Sequence, residues 1–142
     1  MLISDIMSAN VVSITPEEST SLAARLLYRH NIGALPVCGA DGQLCGIVTD
    51  RDIVLRCIAA ENDPTATPIK EIMSKGVVSV SPNDDARVAT RIMAAEQVRR
   101  LPVLSDGKVV GMVSLGDLAK TSSYDMEASK ALSEISTNVK KK

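Results

Sequence analysis

Ile3-Ser4-Asp5-Ile6-Met7-Ser8 and Ile69-Lys70-Glu71-Ile72-Met73-Ser74 are two copies of one short lead-in. The register that joins them continues through most of the chain. Val11-Val12-Ser13 falls on Val77-Val78-Ser79, Pro16 on Pro82, and Leu35-Pro36-Val37 on Leu101-Pro102-Val103. One residue is lost at the next turn. Beyond it Asp41-Gly42 meets Asp106-Gly107, Gly46 meets Gly111, and Asp52 meets Asp117. Hydrophobic positions and turn residues recur together, which is the signature of a repeated structural unit.

Each copy predicts the same order of elements. Val11 to Ile14 is a short β-rich run ended by Thr15-Pro16. Residues Ser19 to His30 follow, with Leu22, Ala23, Leu26 and Leu27 on one helical face; Val88, Ala89, Ile92 and Met93 are their counterparts. Ala34 to Cys38 and Leu44 to Thr49 predict two strands joined by a turn at Asp41-Gly42. A second helix opens at Asp50 and runs toward Ala60, with Ile53, Val54 and Cys57 as its inner face. The polar, proline-containing stretch 61–68 predicts a linker between a first repeat, 1–60, and a second, 69–121. The fold class is therefore α+β, in two βαββα repeats. The first strand of each should join the next in parallel by a right-handed crossover. One repeat leaves an apolar sheet face bare, so the two are expected to pack about a pseudo-two-fold axis. In the tail, 122–142, Ala128, Leu132, Ile135 and Val139 predict a narrow apolar seam on a short C-terminal helix.

Composition removes several function classes. Hydrophobic residues make up 45% and charged residues 23%, which fits a globular domain and not a disordered chain. The net charge of -1 gives no electrostatic pull toward nucleic acid. Trp and Phe are absent and Tyr occurs only twice, so aromatic platforms for stacking single strands are nearly unavailable. Cys38, Cys45 and Cys57 form no C-x-x-C pair, which argues against disulfides and structural zinc and predicts small buried apolar residues. His30, the only histidine, is expected to suit a helix end. No signal peptide or membrane-length apolar run is visible, so a cytoplasmic location with no membrane partner is expected.

Gly46-Ile47-Val48-Thr49-Asp50-Arg51-Asp52 and Gly111-Met112-Val113-Ser114-Leu115-Gly116-Asp117 carry the chemistry. Both have the form glycine, two apolar residues, a hydroxyl, two variable residues, then aspartate. The hydroxyl ends a strand and the carboxylate enters the first turn of a helix, where N–H groups are unpaired. Such a carboxylate can accept both hydroxyls of a ribose. The glycine lets another backbone or a flat base come close. A competing reading is a helix-capping box, in which hydroxyl and acid only satisfy backbone donors.

Asp-Ile-Met, Val-Val-Ser-Ile-Thr-Pro, Ile-Gly-Ala-Leu-Pro-Val and Gly-Ile-Val-Thr-Asp-Arg-Asp together resemble a cystathionine β-synthase (CBS) domain. Two in tandem resemble a stand-alone Bateman module, over roughly residues 2 to 121. The resemblance implies a regulatory module that senses an adenine nucleotide (AMP, ADP or ATP) or S-adenosylmethionine in the cleft between repeats. It implies one site of Thr49 and Asp52 with Val98, Arg99 and Arg100, and Lys70 and Arg51 as further cations. The other would join Ser114 and Asp117 to Ile32, Gly33 and Ala34, with Ser4 nearby. Asp52 and Asp117 would hold ribose, Thr49 and Ser114 sugar or phosphate oxygen, and the backbone of Val98 or Ile32 the adenine edge. The arginines would make the first site the tighter one, so Asp52→Ala should cost more affinity than Asp117→Ala. The resemblance also implies a homodimer and an effector protein of unknown identity.

Two other classes compete. One is a protein–protein interaction dimer with vestigial nucleotide clefts. The other is an enzyme, which is not expected: no nucleophile–base pair, paired catalytic carboxylates, metal cluster or P-loop is visible. No catalytic residue, metal or cofactor is therefore assigned; the nucleotide is a regulatory ligand.

Overall fold

The computed structural model describes residues 1–120 and 130–135. Helices and small antiparallel sheets make an α+β structure, as the repeats predict. In chain order the elements are α1 (Ile3–Ile6), α2 (Thr20–His30), β1 (Ala34–Cys38), β2 (Leu44–Thr49) and α3 (Asp50–Ile53). A π-helical turn (Val54–Ile58) and a 3₁₀ turn (Ile69–Glu71) follow. Then come α4 (Ala86–Glu96), β3 (Arg100–Ser105), β4 (Lys108–Ser114) and α5 (Leu115–Ala119). Residues 130–135 are helical.

The chain divides into two compact units that do not coincide with the repeats. One holds Met1–Val11, Val78–Asp106 and the described residues from Val110 onward; the other holds Val12–Val77 and Gly107–Val109. Each repeat's lead-in is thus housed with the body of the other repeat. The hydrogen bonds repeat with the sequence. Ile3 N and Ser4 N donate to Asp84 O (2.8 Å) and Pro82 O (3.0 Å). Ile69 N and Lys70 N donate to Glu18 O and Pro16 O, both at 2.9 Å. Ser8 and Met112 exchange two backbone bonds (2.8 and 2.9 Å), as do Ser74 and Ile47 (2.8 and 3.0 Å).

In the unit built on the first repeat, Ser19 caps α2 by accepting from Leu22 N (3.1 Å). Asn31 ends the helix in the left-handed region (φ 52°), a conformation that asparagine tolerates at a helix end. The α2 stripe packs Ala23 and Leu27 against Leu35, Val37 and Val48. β1 is buried throughout. Pro36 uses its carbonyl on the side facing Ile14, whose N donates to Pro36 O (3.1 Å), but it offers no N–H there.

The predicted strand Val11–Ile14 does not form. Only one parallel bridge, Ile14 to Val37, survives, with Val80 to Val103 as its copy. Ile14 N donates to Pro36 O and Ile14 O accepts from Cys38 N, but the next bond back toward Val11 would need an N–H on Pro36, which proline lacks; beyond Ile14, Pro16 offers none either. The second helix also departs from expectation. Ile53 and Cys57 are buried, but Val54 is 54% exposed, with Leu55 and Ile58 exposed beside it. Beyond Val54 the helix widens into a π turn, with Ala59 N donating to Val54 O (2.8 Å).

The stretch 61–68 is polar but bound. Thr67 O accepts from both Thr20 N (2.9 Å) and Thr20 Oγ1 (2.8 Å), and Pro64 O accepts from Ser21 N (2.9 Å). Cys38 and Cys57 are buried as expected, but Cys45 is exposed at the hairpin edge. Burial pushes the Cys38 thiol pKa up.

In the other unit, Asp85 caps α4 by accepting from Arg87 N (2.9 Å). That bond and the Arg87 side chain hold the exposed Asp85 carboxyl at about 2. Ile3, Ala89, Met93, Leu101, Val103 and Leu118 form the core here. β3 and β4 turn at Asp106-Gly107, both at positive φ (53° and 78°), the geometry of a tight type I′ hairpin. The helix at 130–135 buries Ala131 and Ile135, while Leu132 stays 43% exposed. The predicted seam is therefore corrected: Ala131 takes the inner position given to Leu132. Ala128 and Val139 lie outside the described residues.

Candidate functional site

Both glycine–hydroxyl–aspartate segments adopt one geometry. Thr49 Oγ1 accepts from Asp52 N (3.1 Å) and Asp52 Oδ2 accepts from Thr49 N (3.0 Å). Ser114 Oγ accepts from Asp117 N (3.1 Å) and Asp117 Oδ2 from Ser114 N (2.9 Å). The capping box is thus real in both repeats. It fixes the carboxylate against the strand end and commits one of its oxygens. In Asp52 the other oxygen, Oδ1, lies 3.9 Å from Arg56 Nε. Arg56 Nη1 also donates to Ile72 O (3.1 Å) and Met73 O (3.3 Å). Sequence reasoning missed Arg56, although its spacing of four from Asp52 on a helix was visible.

The glycines answer to a neighbouring backbone. A Cβ on Gly46 would lie 2.6 Å from Ser74 O and 3.0 Å from Met73 Sδ. On Gly111 it would meet Met7 Sδ at 2.5 Å and Ser8 O at 3.0 Å. The recurring lead-in methionines, Met7 and Met73, therefore pack on these glycines.

The hairpins set the segment before Leu-Pro-Val beside the hydroxyl of the same repeat. Asp50 N donates to Gly33 O (3.1 Å), with Ala34 opposite Thr49 in the ladder. Leu115 N donates to Arg99 O (2.8 Å). Thr49, Arg51, Asp52, Lys70, Ile32, Gly33 and Ala34 fall in one unit; Ser4, Val98, Arg99, Arg100, Ser114 and Asp117 fall in the other. Arg51, Lys70, Ser4, Arg99 and Arg100 are exposed, and Asp52, Asp117, Ile32, Gly33 and Val98 are half-buried.

In the second of these units Arg99, Arg100 and Ser114 line a cavity of about 370 Å³ together with Leu115, Gly116, Ala119 and Leu132. That volume lies at the lower end of small-molecule sites. Two guanidinium groups and a hydroxyl suit an oxyanion such as phosphate. Leu132 was not foreseen as a lining residue, because its position in the chain lies outside the repeat. Among the described residues no group of three or more His, Cys, Asp or Glu side chains gathers as a metal site. No helix among them is long and apolar enough to cross a membrane.

The CBS domain sequence model matches residues 3–58 and again residues 69–124. The chain belongs to the CBS domain family. It is 41% identical over 134 residues to the CBS domain-containing protein YhcV of Bacillus subtilis, covering 94% of each chain. It is 39% identical over 116 residues to Hypoxic response protein 1 of Mycobacterium tuberculosis, covering 82% of this chain and 81% of that one. Among solved structures it resembles Hypoxic Response Protein I with two coordinated zinc ions. There the TM-score is 0.80 at 37% identity, over 85% of this chain and 98% of that one. It also resembles the CBS domain pair of protein MJ0100, solved in complex with 5-methylthioadenosine and S-adenosyl-L-methionine. That match has a TM-score of 0.77 at 30% identity, over 87% of this chain and 96% of that one. The two CBS motifs of this chain thus occur in a family whose members include a pair with adenosine compounds bound.

Proposed function

We propose that this CBS pair is a regulatory module that binds an adenosine ligand, AMP, ADP, ATP or S-adenosylmethionine, and does no chemistry on it. The observation that carries the reading is the cavity at Ser114. Its hydroxyl sits in the turn that Asp117 closes, and Arg99 and Arg100 line the same space. Ser114 offers a sugar-binding oxygen in the cavity, and Asp117, bonded to Ser114 but not among the lining residues, a second beside it; the guanidinium groups offer phosphate contacts. Thr49 and Asp52 repeat the turn, with Arg51 and Lys70 as exposed cations of the same unit. The adenosine compounds bound by the MJ0100 pair support the choice of ligand class.

Phosphate recognition by the arginines has a direct test. In calorimetric titrations Arg100→Ala should weaken AMP and ATP about tenfold or more and adenosine by less than about threefold, since each lost charge-assisted bond is worth roughly 1.5–3 kcal/mol. Equal losses for AMP and adenosine would remove Arg100 from phosphate binding. The nucleotide should be recovered intact after long incubation; turnover to a product would make the protein an enzyme.

A second copy of the chain is the proposed partner. Val54, Leu55 and Ile58 expose about half of their surface each on one helical stretch (54%, 49% and 53%), the kind of apolar patch that marks an interface. Sedimentation should show a dimer that Leu55→Asp dissociates; a monomeric native chain would exclude it. One observation favours a different reading, a scaffold without ligand. The two reciprocal caps by themselves account for the hydroxyl and the acid.

A further inference from the structure

The cavity at Ser114 has a wall that the repeat does not supply. Leu132 lies on the helical residues 130–135, beyond the second CBS match, which ends at residue 124. It lines the cavity together with Arg99, Arg100 and Ser114. Other residues hold its helix in place. Ala131 is 1% exposed and Ile135 4%, and Ala131 belongs to the same core as Ile3, Leu115 and Leu118. Leu132 is left 43% exposed. The leucine thus lines the cavity from a helix whose buried anchors are Ala131 and Ile135. Apolar surface left open beside two guanidinium groups is unsatisfied on one side only, and a molecule with both an anionic group and a flat apolar part would satisfy both walls.

We propose that Leu132 is a ligand-binding residue, packing on the base or sugar of a nucleotide whose phosphate is held by Arg99 and Arg100, and that occupancy of the cavity thereby adds to the hold that Ala131 and Ile135 already give residues 130–135. The proposal rests on the adenosine-ligand reading and deepens it. It makes the segment after the repeats part of the site and the element through which binding is reported. An inorganic phosphate, which has no apolar part, would engage the arginines alone.

The test uses the full chain and AMP. Leu132→Ala should weaken AMP about tenfold, the effect of withdrawing one partly buried leucine side chain from a contact. Its effect on inorganic phosphate should be under about twofold. Leu132→Met should restore AMP binding to within about threefold of the native chain. Amide hydrogen exchange at residues 130–135 should slow when AMP is added to the native chain and not when phosphate is added. The ligand-free thermal midpoint of Leu132→Ala should match the native one, because Ala131 and Ile135 carry the packing; if it falls, Leu132→Met alone decides by its AMP affinity, and a loss greater than about threefold there overturns the proposal. Native AMP affinity in Leu132→Ala, with no slowing of exchange at 130–135, overturns it and leaves the adenosine-ligand reading standing. Failure of the native chain to bind any adenosine compound removes both.

Discussion

Gly46→Ala should lower stability by about 3 kcal/mol or more, and Gly111→Ala by clearly less, in urea unfolding. The added Cβ at position 46 would stand 2.6 Å from Ser74 O. That oxygen cannot yield cheaply, because Ser74 and Ile47 exchange two backbone bonds at 2.8 and 3.0 Å. Relief means opening that bridge as well as shifting Met73. Overpacking of a filled interior costs roughly 1–3 kcal/mol, and lost backbone bonds add about 1 kcal/mol each. At position 111 the nearest atom, at 2.5 Å, is Met7 Sδ, the far end of a flexible side chain, and Ser8 O is at 3.0 Å. A thioether re-packs more readily than a peptide. A double-mutant cycle with the methionines sharpens the contrast: Met7→Ala should offset a larger share of the Gly111→Ala loss than Met73→Ala does for Gly46→Ala. Equal losses at the two glycines would show that the lead-ins are not seated as described.

Asp52→Asn and Asp117→Asn separate binding from capping. Asparagine keeps an oxygen able to accept from Thr49 N or Ser114 N, so the caps and the fold should survive with a change in stability under about 1 kcal/mol. A ribose would lose the carboxylate that takes its two hydroxyls. Hydrogen bonds to a charged acceptor are worth roughly 1.5–3 kcal/mol, so the double variant should lose adenosine-ligand affinity about a hundredfold. From sequence, the pairing of Asp52 with Arg99 and Arg100 ranks it above Asp117, but the arginines line the cavity of Ser114, so that ranking no longer follows from them; the two single variants show which acid matters more. A double variant that binds as tightly as the native chain would reduce both turns to helix caps.

Much of this was legible in the sequence. Ala34–Cys38, Leu44–Thr49 and the helix after Ser19 stand with the bounds their periodicity predicts, because alternation, turn glycines and a capping hydroxyl all agree there. The CBS resemblance came from four motifs in order, twice, and the match over 3–58 and 69–124 bears it out. Where the reading erred, a tertiary effect decided. Val11–Ile14 has the residues of a strand but only one bridge, because Pro36 in the partner strand has no N–H to donate to it. Val54 fits an inner helical face by its residue type, but the buried line runs through Ile53 and Cys57 and leaves it 54% exposed. Leu132 looked like a seam residue, but Ala131 and Ile135 pair at the helical spacing that packs. The exchange of lead-ins could not be read at all. Ile3–Ser8 and Ile69–Ser74 are so alike that either would fit either partner, and only the hydrogen bonds distinguish them.

The most direct test of the ligand reading is a thermal-shift panel on protein that has been unfolded, freed of copurified ligand and refolded, with AMP, ADP, ATP, S-adenosylmethionine, GMP and GTP. A ligand at a hundred times its Kd adds about 2.7 kcal/mol, which raises Tm by roughly 5–10 °C for a chain of this size. The account predicts such a shift with at least one adenosine compound, none with the guanine nucleotides, and its loss in the Asp52→Asn, Asp117→Asn double variant. No shift with any adenosine compound, or an equal shift with guanine nucleotides, would contradict it.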